Sequence, residues 1–99
     1  MQARYEPTFE REMGCTEAEL RAWLPGASGG AALAFHDGGV DVALGDGELR
    51  LRWQALPPRR IALIMLPRLR VRFEFERVDA AERVRFMRHF DLYTQRGGG

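Results

Sequence analysis

The 99-residue sequence contains no lysine, no asparagine and only one cysteine. All fifteen basic residues are therefore arginine, and with fourteen acidic residues the formal net charge is +1. This balance excludes a strongly basic nucleic-acid-binding segment and an acidic solvating tail. Because a lone Cys15 cannot form an internal disulfide, the cysteine content is typical of a reducing cytoplasm.

Long hydrophobic runs and targeting signals are also missing. The longest apolar run, residues 61–66, has six residues, whereas a membrane-spanning helix needs about 20. A basic stretch followed by an apolar one is absent from the N-terminus, so we expect no ordinary secretion signal. These absences predict a cytoplasmic protein that does not enter membranes.

The use of arginine alone points to the origin of the sequence more than to its activity. The arginines are spread along the whole chain, and acidic residues lie close to most of them. Together with the abundance of alanine, glycine, proline and leucine, this composition indicates the codon bias of a GC-rich bacterial genome. Phosphate recognition, for which arginine is well suited, is therefore not required to explain it.

The first third of the chain predicts a strand followed by a helix. Alternating polarity from Tyr5 to Met13 is typical of a half-buried strand, and Pro7 places it at a sheet edge. Thr16 and Glu19 have capping-box spacing, which predicts a helix start. We expect Pro25-Gly26 to end this helix after about two turns and a loop to follow over residues 26–30.

The middle of the chain predicts a meander of antiparallel strands. Asp37-Gly38 favours a tight hairpin turn after Phe35, because glycine supplies the positive φ that such a turn needs. A second turn signal lies at Gly45-Asp46-Gly47, and alternation then continues to Trp53. We expect Pro57-Pro58 to end this strand.

Residues 61–75 keep one parity of apolar side chains across Pro67. A two-residue hairpin at Pro67-Arg68 contradicts that parity, so we predict one long strand bent at Pro67. A three-residue turn centred on Pro67 preserves the parity and is the alternative.

The last segment predicts a helix with an apolar half. Asp79 and Glu82 have capping-box spacing, and Arg83 falls inside the apolar arc, where Asp79 is its expected salt-bridge partner. The other arc residues are Ala80, Val84, Phe86, Met87, Phe90 and Tyr93.

The sum of these elements predicts an α+β fold. We expect a single two-layer domain over residues 1–96, with a curved antiparallel sheet of about five strands and two helices on one face, followed by a disordered glycine tail at residues 97–99. The β-α-β4-α order resembles the TATA-box-binding-protein-like and helix-grip folds. That resemblance implies a fold and no activity.

The apolar run at residues 61–66 predicts an interface. As part of a strand, it is apolar on both faces, which is typical of burial on both sides. The helices of a two-layer domain cover only one face, so a second subunit is expected to cover Ala62, Ile64 and Leu66. A small apolar ligand or the loop at residues 26–30 is the alternative cover.

Two further sites are hypotheses of lower rank. A small-molecule pocket between the sheet and the last helix is predicted to use Trp53, Arg83, Phe86 and Phe90. An anion-binding row on the outer sheet face is predicted at Arg68, Arg70 and Arg72. Because the aromatic rings share the inward parity, this row favours a solvated charged face over nucleic-acid binding.

No group of residues predicts catalysis. We interpret His36 as a turn residue and His89 as a solvated side chain, and neither has ligand spacing for a metal. Cys15 precedes a helix N-terminus, where a reactive thiol is physically reasonable, but a small buried hydrophobe is the favoured interpretation. Ser28 lacks a nucleophile-elbow pattern. We therefore predict a non-catalytic binding or assembly module that forms a homodimer, without cofactor or metal.

Overall fold

A computed structural model describes residues 4–96 of the chain, so the predicted glycine tail at 97–99 lies outside the described residues. Five antiparallel strands form one sheet in the order β1-β5-β4-β3-β2, and two helices complete the fold, which confirms the predicted α+β class. The elements in chain order are β1 (Thr8–Met13), α1 (Glu17–Ala27), β2 (Leu33–His36), β3 (Gly39–Leu44), β4 (Gly47–Ile61), β5 (Ile64–Glu76) and α2 (Ala80–Arg96).

Helix α1 begins at the predicted cap but continues past the predicted end. The Glu19 backbone N–H donates to Thr16 Oγ1 at 3.1 Å, and the Thr16 N–H donates to Glu19 Oε1 at 2.9 Å. The expectation that Pro25-Gly26 ends the helix was wrong, because α1 includes both residues and ends at Ala27. The φ of proline is compatible with a helix, and Pro25, close to the end of α1, removes only one backbone hydrogen bond of the helix.

The core lies between one face of the sheet and both helices. Alternate residues in the first half of β4, from 47 to 53, and in the second half of β5, from 69 to 75, point to this face and are almost fully buried. Phe73 on β5 meets Phe90 of α2 edge to face, with ring centroids 5.6 Å apart, and Phe75 meets Phe86 at 6.0 Å. Leu20 and Leu24 of α1 complete the same apolar cluster.

The structure corrects the prediction for residues 54–75. Pro57-Pro58 does not end a strand, because β4 runs on to Ile61. The chain then reverses at Ala62-Leu63, so that Ile61 pairs with Ile64. Both a single strand bent at Pro67 and a turn centred on Pro67 were therefore wrong, since Pro67 lies within β5.

Two local features explain this error. The register shifts between Leu56 and Arg59, so Pro57 and Pro58 together face Pro67 in a β-bulge, where no ladder N–H is needed. The hairpin turn contains no glycine, asparagine or aspartate, and Ala62 itself adopts a φ of 53°. A turn of this type is normally signalled by residues that tolerate positive φ.

Arg83 also differs from the prediction. Its guanidinium donates to the backbone carbonyls of Tyr5, at 2.9 Å, and Val78, at 2.7 Å. Asp79 instead caps α2 by accepting from the Glu82 N–H at 2.9 Å. The expected Arg83–Asp79 salt bridge was therefore wrong, because the capping role orients the carboxylate toward the helix backbone.

Candidate functional site

The distal part of the β4–β5 hairpin, residues 56–68, projects beyond the rest of the sheet, and we call it the arm. Strand β1 pairs with β5 only as far as Leu69, and β3 pairs with β4 only as far as Arg52. Beyond those positions each strand of the arm has only the other as a neighbour. The arm therefore accounts for much of the elongation of the molecule, whose principal extents are 46 × 29 × 21 Å.

The end of the arm is apolar and open to solvent. We call residues 61–66 the tip. Leu63 in the turn is 98% exposed, and Ile64 beside it is 59% exposed. The other large apolar side chains of the tip that are exposed are Ile61, Met65 and Leu66. Exposed apolar clusters of this kind mark interaction sites in soluble proteins.

The structure places the predicted interface residues Ala62, Ile64 and Leu66 together in this tip, each of them exposed. The segment at residues 26–30, predicted as an alternative cover, lies elsewhere: the Gly26 carbonyl contacts His89 of α2, with the ring Nε2 at 2.8 Å. The sequence argument missed Leu63, which the prediction placed on the inward face of a strand. Only the unbroken apolar run in the sequence could have indicated that Leu63 belongs to the site.

Prolines limit the ways in which a partner can contact the arm. Pro57 and Pro58 on β4 and Pro67 on β5 have no backbone N–H. Proline at a strand edge prevents regular addition of another strand. Contacts made by the arm must therefore come mainly from side chains.

Arginines surround the tip, and most of them are engaged. Arg68 donates to Glu12 at 3.0 Å and to the Pro57 carbonyl at 2.9 Å. Arg59 lies 3.9 Å from the other oxygen of the Glu12 carboxylate. Within residues 4–96, Arg60 has no ion pair or side-chain hydrogen bond, so its charge is free for a partner.

Charge is unevenly distributed along the outer face of the sheet, which is the face opposite the helices. At the start of β4, Glu48 lies directly across from Glu76, and further along, Arg52 lies across from Arg72. Arg50 lies between the two glutamates and pairs with both, at 2.8 and 3.0 Å, and these contacts raise its pKa. The face therefore changes from acidic to basic toward the arm.

The predicted anion-binding row is only partly available. Arg68 is occupied by Glu12, and Arg72 has Glu10 and Glu74 at 3.6 and 3.5 Å. Arg70 makes no ion pair or side-chain hydrogen bond among the described residues. Arg52, which donates to Asp41 Oδ1 at 3.1 Å, lines one shallow cavity of about 200 Å³ together with Glu10, Arg70 and Arg72.

The residues of the predicted pocket lie in different parts of the core. Phe86 and Phe90 pack against sheet phenylalanines, and Arg83 contacts the backbone near β1. Trp53 lies under Arg21 of α1, with the guanidinium 5.1 Å from the ring centroid. The indole nitrogen of Trp53 makes no hydrogen bond of good geometry. It nevertheless faces Glu17, and Trp53 and Arg21 together lower the pKa of the Glu17 carboxyl.

The side chains that were considered for catalysis or metal binding each contact neighbouring groups of the fold. Burial, with a smaller contribution from Glu19, raises the pKa of Cys15 to about 11, so the thiol is protonated at neutral pH. His36 lies beside its turn, with Nε2 3.6 Å from Asp41 Oδ1. Ser28 donates to the Pro25 carbonyl at 3.2 Å. Within residues 4–96 no three potential ligands among His, Cys, Asp and Glu are grouped to hold a metal.

The sequence argument also missed a shallow cavity on the outer face, which we call the alanine hollow. It has a volume of about 310 Å³ and lies over β2, β3 and the start of β4. Three alanines on or just before these strands leave space where larger side chains would project, and Asp41 and Glu48 add carboxylates. The alanines are Ala32, Ala34 and Ala43.

Comparison with known proteins adds no relationship. No family model matches the chain, and no similar curated protein or solved structure was found. The resemblance to the TATA-box-binding-protein-like fold is therefore not confirmed. Neither helix of the described chain has the length and apolar character of a membrane span.

Proposed function

We propose that this protein is a non-catalytic assembly module that forms a homodimer through the tip of its arm. The observation that carries the proposal is the exposure of five large apolar side chains, Ile61, Leu63, Ile64, Met65 and Leu66, on one projecting hairpin. Fully burying a Leu, Ile or Met side chain stabilises a complex by about 1.5–3 kcal/mol before the costs of association. A partner that covers the tip therefore gains a substantial driving force.

A second copy of this chain suits the tip. The formal net charge is only +1, so two copies do not repel each other strongly. The tip contains no ionisable side chain, and an apolar surface on each copy satisfies the self-complementarity that a two-fold contact requires. The prolines of the arm favour a dimer held by side chains over open-ended strand addition.

The test is the mass of the protein in solution at micromolar concentration, measured by sedimentation or light scattering. We expect a dimer for the wild type and a monomer for Ile64→Glu. The matched control is Leu92→Glu, since Leu92 is also exposed but lies on α2, away from the arm. Because both side chains are exposed, neither change should lower the thermal stability of the monomer.

A monomeric wild type, with Ile64→Glu leaving solubility and stability unchanged, contradicts the proposal. Dissociation by Leu92→Glu with no effect of Ile64→Glu contradicts it as well, because it moves the interface to the helices.

A second candidate function is weak anion binding on the outer face. The specific observation is that Arg52 and Arg72 lie directly opposite each other, each paired with a carboxylate, whereas Arg70 beside them has no acidic partner among the described residues. Guanidinium groups arranged in this way suit phosphate or carboxylate oxygens. Retention on heparin that falls steeply with salt and is weakened by Arg70→Ala is expected. Absence of retention at low salt eliminates this candidate.

A further inference from the structure

The tip and the alanine hollow lie at opposite ends of the molecule. Glu48 at the hollow and Ile61 at the tip lie near the two ends of β4. At about 3.3 Å per residue they are separated by about 40 Å along the strand, close to the 46 Å long axis of the molecule. A tip therefore cannot reach the hollow of its own chain, and only another copy can bring the two together.

Both surfaces belong to the outer face of the sheet. Ala43 pairs with Glu48 and Ala34 pairs with Asp41, so the hollow faces away from the helices. On β5, which has no extra residue at the bulge, Leu66 and Ile64 continue the alternation of Arg70 and Arg72. Two copies that stack their outer faces in opposite directions therefore bring tips toward hollows.

The hollow and the tip are complementary in size and polarity. A cavity of about 310 Å³ with alanine methyl groups accepts one or two branched aliphatic side chains of the tip. Asp41 and Glu48 provide carboxylates at the hollow, where they already pair with Arg52 at 3.1 Å and with Arg50 at 2.8 Å. Arg59 of the arm shares the outer face with Leu66, its partner across the hairpin, and docking brings its guanidinium toward these carboxylates.

Charge along the outer face favours the antiparallel arrangement. The hollow end carries the opposed pair Glu48 and Glu76, whereas no acidic residue occurs anywhere in residues 49–73, which include the arm. Antiparallel stacking places the acidic end of each copy near the basic arm of the other. Parallel stacking opposes like charges along the whole face, which is unfavourable.

The same arrangement closes the assembly. Each copy offers one tip and one hollow, and a two-fold axis between the stacked faces satisfies both contacts in a dimer without leaving an open end. It also solves a problem of area, because a stable interface involves about 20–30 residues on each side. The tip alone has five exposed large apolar side chains.

We infer that the tip of each copy docks on the alanine hollow of a second copy in an antiparallel, face-to-face homodimer. This inference rests on the proposed function, which supplies the dimer, and it goes further by naming the surface that receives the tip. It commits Ala34, Ala43 and Glu48 to the interface, none of which the sequence assigned to it.

Cross-linking provides the direct test, with cysteines placed at exposed positions of the full chain. The double variant Leu63→Cys, Ala43→Cys should form a covalent dimer under mild oxidation, whereas each single variant should not. The native Cys15 is buried and does not take part. Covalent dimers from Leu63→Cys alone overturn the inference, because they show that tip meets tip.

A charge exchange gives a second measurement that does not depend on oxidation. We expect Glu48→Arg and Arg59→Glu each to raise the dimer dissociation constant by about tenfold and the double variant to restore much of the affinity. Ala43→Arg, which fills the hollow, should dissociate the dimer, while Ala81→Arg, at an exposed alanine of α2, should not.

The outcomes separate the two proposals. If Ile64→Glu dissociates the dimer but Ala43→Arg and the charge exchange have no effect, the hollow is excluded and the proposed function stands. If the wild-type protein is a monomer, both fail.

Discussion

The two halves of the β4–β5 hairpin are built from the same pair of strands but differ in what surrounds them. In the proximal half, Leu49 and Leu51 on β4 and Val71 and Phe73 on β5 are fully buried under the helices. In the distal half the strands remain paired, yet every residue from 59 to 66 is exposed. Strand pairing alone therefore does not bury side chains, because burial here depends on a second layer.

The sequence distinguishes these two situations through its pattern. The proximal half alternates apolar and charged residues, which is typical of a sheet with one covered face. The tip has no alternation, since all six of its residues are apolar. Within one hairpin, alternation marks the part that the chain covers itself, and uniform apolarity marks the part that it leaves exposed.

The largest expected effect comes from truncating one apolar side chain in each half. Phe90→Ala should lower the free energy of unfolding by about 3–5 kcal/mol, because the ring is fully buried against Phe73. Leu63→Ala should change it by less than about 0.5 kcal/mol, since this side chain is almost fully exposed. Chemical denaturation of both variants in the Ile64→Glu background separates folding from assembly.

If Leu63→Ala lowers the free energy of unfolding by more than about 1 kcal/mol in the Ile64→Glu background, the contrast between the two halves of the hairpin is contradicted. Such a loss means that the tip packs on its own chain, and neither proposed interface then has an unoccupied apolar surface.

Much of the covered body was predictable because its signals are local. The Thr16–Glu19 cap, the Asp37-Gly38 turn and the alternation along β3 each depend on a few neighbouring residues. The arm was mispredicted because proline was expected to end strands, and a bulge instead absorbs Pro57 and Pro58. No local signal marks this, since the register of the partner strand determines it.

The sequence predicted the position of the tip but not the alanine hollow. The apolar run predicted Ala62, Ile64 and Leu66 as an interface, and the structure places all of them in one exposed tip. The alanine hollow was not predictable, because Ala43 becomes a neighbour of Ala32 and Ala34 only through the pairing of β2 with β3. Small residues on separate strands give no sign in sequence that together they leave a cavity.

A smaller effect should follow from adding one methyl group at the covered start of β4. A Cβ at Gly47 would overlap the carbonyl oxygens of Glu76 and Arg77, which belong to the backbone and cannot easily move. Gly47→Ala should therefore lower the free energy of unfolding by about 1–3 kcal/mol. Gly14→Ala is the matched control, because nothing lies within 4 Å of its Cβ position.

Thermal or chemical unfolding of these two glycine variants decides the point. Equal stabilities for Gly47→Ala and Gly14→Ala mean that the start of β4 is as loosely surrounded as its end, and the contrast between the two halves is then lost.

The smallest expected effect concerns the two non-glycine residues of the described range 4–96 that have positive φ, one in each region. Ala62 in the turn of the arm has a φ of 53°, and Arg77 between β5 and α2 has a φ of 56°. Glycine relieves the strain of this conformation, but it also increases the entropy of the unfolded chain, so each substitution should stabilise its own region by less than about 1 kcal/mol. The exposed ion pair of Arg77 with Glu76 contributes little against this gain.

The comparison between the arm and the body is tested by which of the two regions gains stability, more than by how much it gains. Because Arg77 lies in the packed body, Arg77→Gly should raise the global unfolding midpoint. Ala62→Gly should leave that midpoint unchanged and instead slow hydrogen exchange at the amides of the arm, measured below the dimer dissociation constant. A global shift from Ala62→Gly of the same size as that from Arg77→Gly means that the arm unfolds together with the body. The arm is then a cooperative part of the fold, although no second layer covers it.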